Sequence, residues 1–150
     1  MYRYLFVFII LFFSCNFNHQ KQERQIKKYF QQVFNINYLN GKYYIFKVDS
    51  CSSCNTKELA FEFFLNNDFT ENTTLLIIGS IENRYKNKID ILENLNYNII
   101  NDTTSKLYAY ETGFSKSMLV HFKDNKLIMK TEIYDSLFDG YLENYMSLDK

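Results

Sequence analysis

Cys51 and Cys54 stand three positions apart in VDSCSSCNTKELAFEFF, residues 48–64, where an apolar run gives way to a helical pattern. Two thiols at that spacing can exchange electrons with another disulfide, close into a structural bridge, or share a metal ion. Exchange needs a thiolate, so one sulfur must be exposed and its anion favoured. If a helix opens at the pair, its first backbone N–H groups have no partner within the helix and point at Cys51. With the helix dipole they favour the anion by about 0.3–2 kcal/mol. Asp49, also beside Cys51, works against that charge. Cys54 falls one turn in, is shielded, and suits a resolving thiol. As a staple, a loop this short contributes roughly 2 kcal/mol. Both roles stay open on spacing alone.

The pair needs a strand before it and a helix behind it, and the flanking residues supply both patterns. KYYIFKVDS (42–50) is rich in aromatic and β-branched residues and reads as a strand. Behind the cysteines, Leu59 with Phe63 and Ala60 with Phe64 sit at i, i+4, and Asn66-Asn67 ends that helix. Upstream, Ile26, Tyr29, Phe30, Val33 and Phe34 form one apolar stripe on a helix from Glu23, and Asn40-Gly41 marks a turn. Downstream, TLLIIGS (74–80) is a short continuous apolar run, the pattern of a strand buried on both faces. Tyr85, Ile89, Leu92 and Leu95 give a third helical stripe. Residues 97–110 hold YNII, a strand, and KLYAY, an extended segment. MLVHFKDNKLIMKTEI (118–133) alternates on both sides of Asp124-Asn125 and reads as a hairpin. Leu137, Phe138, Tyr141, Leu142 and Tyr145 then share one face of a last helix. Strand–helix–strand order implies parallel pairing and the hairpin antiparallel pairing. The expected fold is α/β, a mixed central sheet with helices on both faces.

Composition narrows the function classes. With 17 basic and 17 acidic residues there is no electrostatic footprint for nucleic acid. Apolar residues make up 47% of the chain, enough for a real core in one domain, and a monomer is expected. Residues 1–14 carry one early cation, Arg3, then an apolar run from Tyr4 to Phe13 that is short for a bilayer span and reads as a signal-peptide core. The end of that run, FFSC, resembles the lipobox of bacterial lipoproteins, which implies lipidation at Cys15. A plain secretory signal and an uncleaved anchor are the alternatives. Residues 15–21 are then the lipidated cysteine and a polar tether, and 22–150 the folded domain. The resemblance places the chain in the bacterial cell envelope, membrane-anchored and facing the periplasm or exterior, where disulfides persist.

The order strand, C-x-x-C opening a helix, strand, helix, β-hairpin and final helix resembles the thioredoxin fold over residues 22–150. It is most similar to the membrane-tethered thiol–disulfide oxidoreductases of bacteria, which also carry extra residues where 97–114 lie here. The resemblance implies Cys51 as nucleophile, Cys54 as resolver, a protein thiol or disulfide as partner, and no cofactor. This chain departs from that family at three places. Asp49 and Ser50 stand where a Trp is usual, and Ile45 where a buried acid often lies. With no proline in the chain, Ser117 takes the position of the cis-proline that receives substrate backbone. Those departures keep a second reading open, a degenerate binding lipoprotein with a structural Cys51–Cys54 disulfide. No metal is expected. Copper-handling relatives space their cysteines more widely. Zinc needs four ligands, while the domain offers Cys51, Cys54 and His121, with His19 in the tether. His121 alternates with Val120 and Phe122 and reads as a core or edge histidine.

Overall fold

The computed structural model describes residues 2–48, 54–67, 69, 71–133, 142 and 145, with side chains from residue 18 in the first helix and from residue 58 in the second. Among the described residues five strands form one mixed sheet: β1 (Gly41–Lys47), β2 (Thr73–Ile78), β3 (Asn98–Asp102), β4 (Met118–Lys123) and β5 (Lys126–Glu132). Their order is β3-β2-β1-β4-β5. β1, β2 and β3 run parallel, while β4 is antiparallel to both β1 and β5. The α-helices whose bounds lie among the described residues are α1 (Tyr2–Phe34), α2 (Cys54–Asn66) and α3 (Asn83–Asn94).

β1 lies at the centre, and its period of two sorts its rings to opposite faces. Tyr44 and Phe46 pack with Phe61, Phe64, Tyr85 and Leu92 under α2 and α3. Tyr43 and Ile45 pack with Ile26, Tyr29, Phe30, Met118 and Phe122 under α1. Tyr43 therefore belongs to a different core from its neighbours Tyr44 and Phe46.

Two elements differ from expectation. α1 begins at Tyr2 rather than Glu23 and runs unbroken through the residues read as a tether. Asn16–Gln22 holds no Gly or Pro to stop a helix, and Gln and Lys propagate one well. Among the described residues no helix is long and apolar enough to cross a membrane. KLYAY is not extended: Lys106–Ala109 forms a 3₁₀ helix entered through Ser105 at φ +53°. Leu95 is also exposed, since it caps α3 after the last buried position, Leu92.

The turns follow their chemistry. Asp124 and Asn125 both take left-handed backbone, φ +51° and +60°, as a two-residue turn with matching twist requires. That turn is docked on the chain entering β1, since Asn125 N donates to Leu39 O at 3.0 Å and Leu39 N donates to Asn125 Oδ1 at 3.1 Å. Gly41 has φ +92°, and a Cβ there would stand 2.4 Å from Asn72 O. Only glycine lets β1 start so close to the chain entering β2. Ile128 is an extra residue between Leu127 and Met129, a bulge on edge strand β5. The last helix of the sequence reading lies outside the described residues except for Leu142, which joins the α2-side core, and Tyr145, packed against it.

Candidate functional site

Parallel strands β1, β2 and β3 all end on one rim of the sheet, and β4 starts there. Such carboxyl-end rims are where open α/β sheets place their chemistry. β1 ends at Lys47, and Val48 N donates to Ile78 O at 2.9 Å. α2 opens at Cys54. Cys51, with residues 49, 50, 52 and 53, lies outside the described residues, as do the side chains of Cys54 and of Cys15, which is within α1.

Ser117 reaches this rim. It precedes β4, its hydroxyl accepts from Lys47 N at 3.5 Å, and its carbonyl accepts from Ile133 N at 2.9 Å. The residue expected to take the substrate-docking position thus stands beside the strand that leads to Cys51. Around it, Lys47 Nζ donates to Ser115 O at 3.0 Å and lies 4.5 Å from the centre of the half-exposed Tyr108 ring. Ser115 Oγ donates to Glu132 Oε1 at 3.1 Å.

A buried carboxylate closes the β3 end of the rim. Asp102 is 2% exposed. Its Oδ2 accepts from Tyr29 Oη at 3.0 Å and from Leu107 N at 2.9 Å, and its Oδ1 accepts from Thr104 Oγ1 at 3.3 Å. Its carbonyl accepts from Gly79 N and Ser105 N. The effect is to tie α1, β2 and the 3₁₀ helix to one acid. Burial first, and then the Asp102 charge, push the Tyr29 phenol far above its ordinary range. Sequence reasoning passed over Asp102. Its signal was local: Asp followed by Thr-Thr-Ser is an acceptor well placed to cap the next turn.

His121 is not on this rim. It pairs with Lys42, at the opposite end of β1. Lys42 is five residues before Lys47, about 16 Å along a strand. His121 Nδ1 lies 2.6 Å from Tyr145 Oη. Beside it Lys42, 3% exposed, donates to Tyr145 O at 3.1 Å. The pair clasps Tyr145 to the sheet, as suits a hydrogen-bonded histidine. Lys27 is half-buried and donates to Glu23 Oε1 at 2.5 Å, whereas Lys28 is exposed.

Compared with known proteins, the chain matches no family model, no curated protein and no solved structure.

Proposed function

We propose that this chain is a thioredoxin-like thiol–disulfide oxidoreductase, held at a bacterial membrane by a lipid on Cys15 and acting on protein disulfides outside the cytoplasm. The observation that carries the reading is Cys54 at the first residue of α2, behind the central strand β1. Cys51 then precedes that helix by one turn's worth of chain. The sheet supports the reading too. A parallel β1–α2–β2 unit with the antiparallel β4–β5 pair added beside β1 is the order a thioredoxin-like core requires. β3 and the 3₁₀ helix fall within the additional residues 97–114 before that pair.

In the forward direction the Cys51 thiolate attacks one sulfur of a partner disulfide. A Cys51–partner bond forms, the partner's own S–S bond breaks, and its second sulfur leaves as a thiolate that takes up a proton. The Cys54 thiolate then attacks Cys51 sulfur, forming Cys51–Cys54 and releasing the partner's first sulfur. Two electrons pass to the partner, and a partner dithiol drives the same steps in reverse. The test is disulfide exchange by the purified full chain in detergent. Cys51→Ser reduces exchange to the background rate. A variant as fast as the native chain overturns the reading.

A second reading is favoured by Ser117, whose hydroxyl and carbonyl are both taken up internally by Lys47 N and Ile133 N. In that reading the chain is a degenerate binding lipoprotein and Cys51–Cys54 is structural. Replacing both cysteines by serine then lowers the melting temperature, and an unchanged melting temperature counts against it.

A further inference from the structure

The two edges of the sheet are built differently. Unpaired backbone groups on an edge invite another strand, so edges are commonly guarded by charges, bulges or proline. β5 is guarded in that way, by the bulge at Ile128 and by Lys126, Lys130 and Glu132 along it. β3 reads Asn-Ile-Ile-Asn-Asp and pairs with β2 without a register shift. Its one charged side chain, Asp102, is turned into the buried anchor. One bond fixes which way its backbone faces. Asp102 O accepts from Gly79 N, just past the end of β2, at 3.0 Å. The alternation of a ladder then turns the backbones of Asn98, Ile100 and Asp102 toward β2 and those of Ile99 and Asn101 outward. Among the described residues nothing bonds the outward N–H and C=O groups of Ile99 and Asn101. Above this edge lies α3, packed through Tyr85, Ile89 and Leu92. Lys88 Nζ donates to Glu58 Oε1 of α2, so that flank of α3 faces α2. Lys86 and Glu93, seven residues apart, are both exposed on the opposite flank, toward the β3 edge. Among the described residues neither is in an ion pair.

We propose that β3 is the contact of a weak two-fold dimer, in which it pairs antiparallel with β3 of a second copy of this chain about Ile100. This departs from the monomer expected from the sequence and does not rest on redox activity. With Ile100 opposite its own copy, Ile99 of each strand stands opposite Asn101 of the other. Each of those two pairs exchanges two main-chain hydrogen bonds, so every outward group of β3 is used. A shift of two residues would set Ile99 against Thr103, outside the strand, or Asn101 against Tyr97, whose N–H is already held by Leu92 O. On the α1 face the half-buried Ile100 packs on its copy, as the close pair of such a ladder. The same axis sets α3 antiparallel to its copy, so Lys86 of each helix comes opposite Glu93 of the other. Asp90 lies between them but farther round the helix, toward solvent. Register and charge thus both favour a second copy in this orientation as the occupant of the edge. Five residues and one helix flank per copy make a contact at the low end of specific interfaces, below about 1,200 Å² in total, so the dimer depends on concentration.

The test is sedimentation and amide hydrogen exchange of the full chain in detergent, between about 1 μM and 1 mM. The dimer fraction rises over that range, and exchange at Ile99 and Asn101 slows with it while β5 is unchanged. Asn101→Pro removes an outward N–H at an exposed position without touching the β2 ladder. It deletes two of the four bonds and weakens the dimer by about tenfold or more. Lys86→Glu and Glu93→Lys each set like charges opposite one another and weaken it by about threefold. Combining the two reversals restores native association, which neither misfolding nor crowding in the micelle would produce. A chain that stays monomeric, protection that rises on β5 instead of β3, a dimer left intact by Asn101→Pro, or a double reversal as weak as the single ones overturns the proposal.

Discussion

On the α2 side of the sheet, rings hold the layers together. Phe64 meets Tyr44 and Tyr97 edge-on, and Phe61 meets Phe46 edge-on and stacks on Tyr85 at 5.0 Å. On the α1 side the rings are present too, together with one buried polar anchor, Asp102, and one half-buried, Lys130. Asp102 gathers Tyr29 and Leu107, and Lys130 gathers Gln22, Thr112 and Gly113. Apolar packing is non-directional and indifferent to pH, so the α2 core holds α2 against the sheet whatever the charge on nearby groups. A buried carboxylate is directional and costly to leave unpaired, so it fixes where α1 and the 3₁₀ helix sit.

Substitutions on the two sides break this contrast in different ways. The largest effect belongs to the ring layer. Phe64→Ala empties a site 2% exposed at the centre of the α2 core and costs about 3–5 kcal/mol, read by urea unfolding. That loss is the same at every pH tested. Asp102→Ala comes next, at about 2–4 kcal/mol, because Tyr29 Oη and Leu107 N lose a buried acceptor. Hydrogen exchange separates the two variants: Asp102→Ala deprotects the 3₁₀ helix and α1 first, and a uniform loss of protection would argue that Asp102 is not a local anchor.

The smallest change sharpens the contrast most. Tyr29→Phe keeps the ring and removes the hydroxyl, costing about 0.5–1.5 kcal/mol at neutral pH. The Tyr29 pKa is raised in the fold from its ordinary 10.0, so the fold holds that proton more tightly than the unfolded chain. Its contribution is complete below about pH 10 and is lost as pH rises beyond that. Lys130 has the opposite sign, since its lowered pKa means stability recovers as pH approaches its ordinary 10.5. Comparing native chain with Tyr29→Phe between pH 7 and about 10.5 isolates the tyrosine, because Lys130 is common to both. The native chain should lose stability faster on the alkaline side. Parallel curves would show that the Tyr29–Asp102 contact carries no pH dependence.

Much of the framework is legible from local patterns. The apolar stripe Ile26, Tyr29 and Phe30 is buried under the sheet, TLLIIGS contains a strand buried along its length, and residues 118–133 pair across Asp124-Asn125. These succeed because side-chain period and turn chemistry act over a few residues. KLYAY misleads because its alternation and aromatics favour strand, while the Asp102 carboxylate captures Leu107 N and winds the segment into a turn. For the candidate site, the family resemblance singled out Ser117, yet its meeting with Lys47 joins residues 70 apart in the chain.

By itself, then, the sequence determined where most of the strands and helices lie, the turn at Asp124-Asn125, and the placing of the cysteine pair between a strand and a helix. Only the tertiary structure decided that Tyr29 would meet Asp102, 73 residues away, that Lys130 would bridge to Gln22, 108 residues away, and that His121 would face Tyr145 rather than the cysteine rim. The reason is physical. Periodicity reports which face of an element is apolar, but the partner of a buried polar group is set by which distant atoms arrive within hydrogen-bond reach once those faces close.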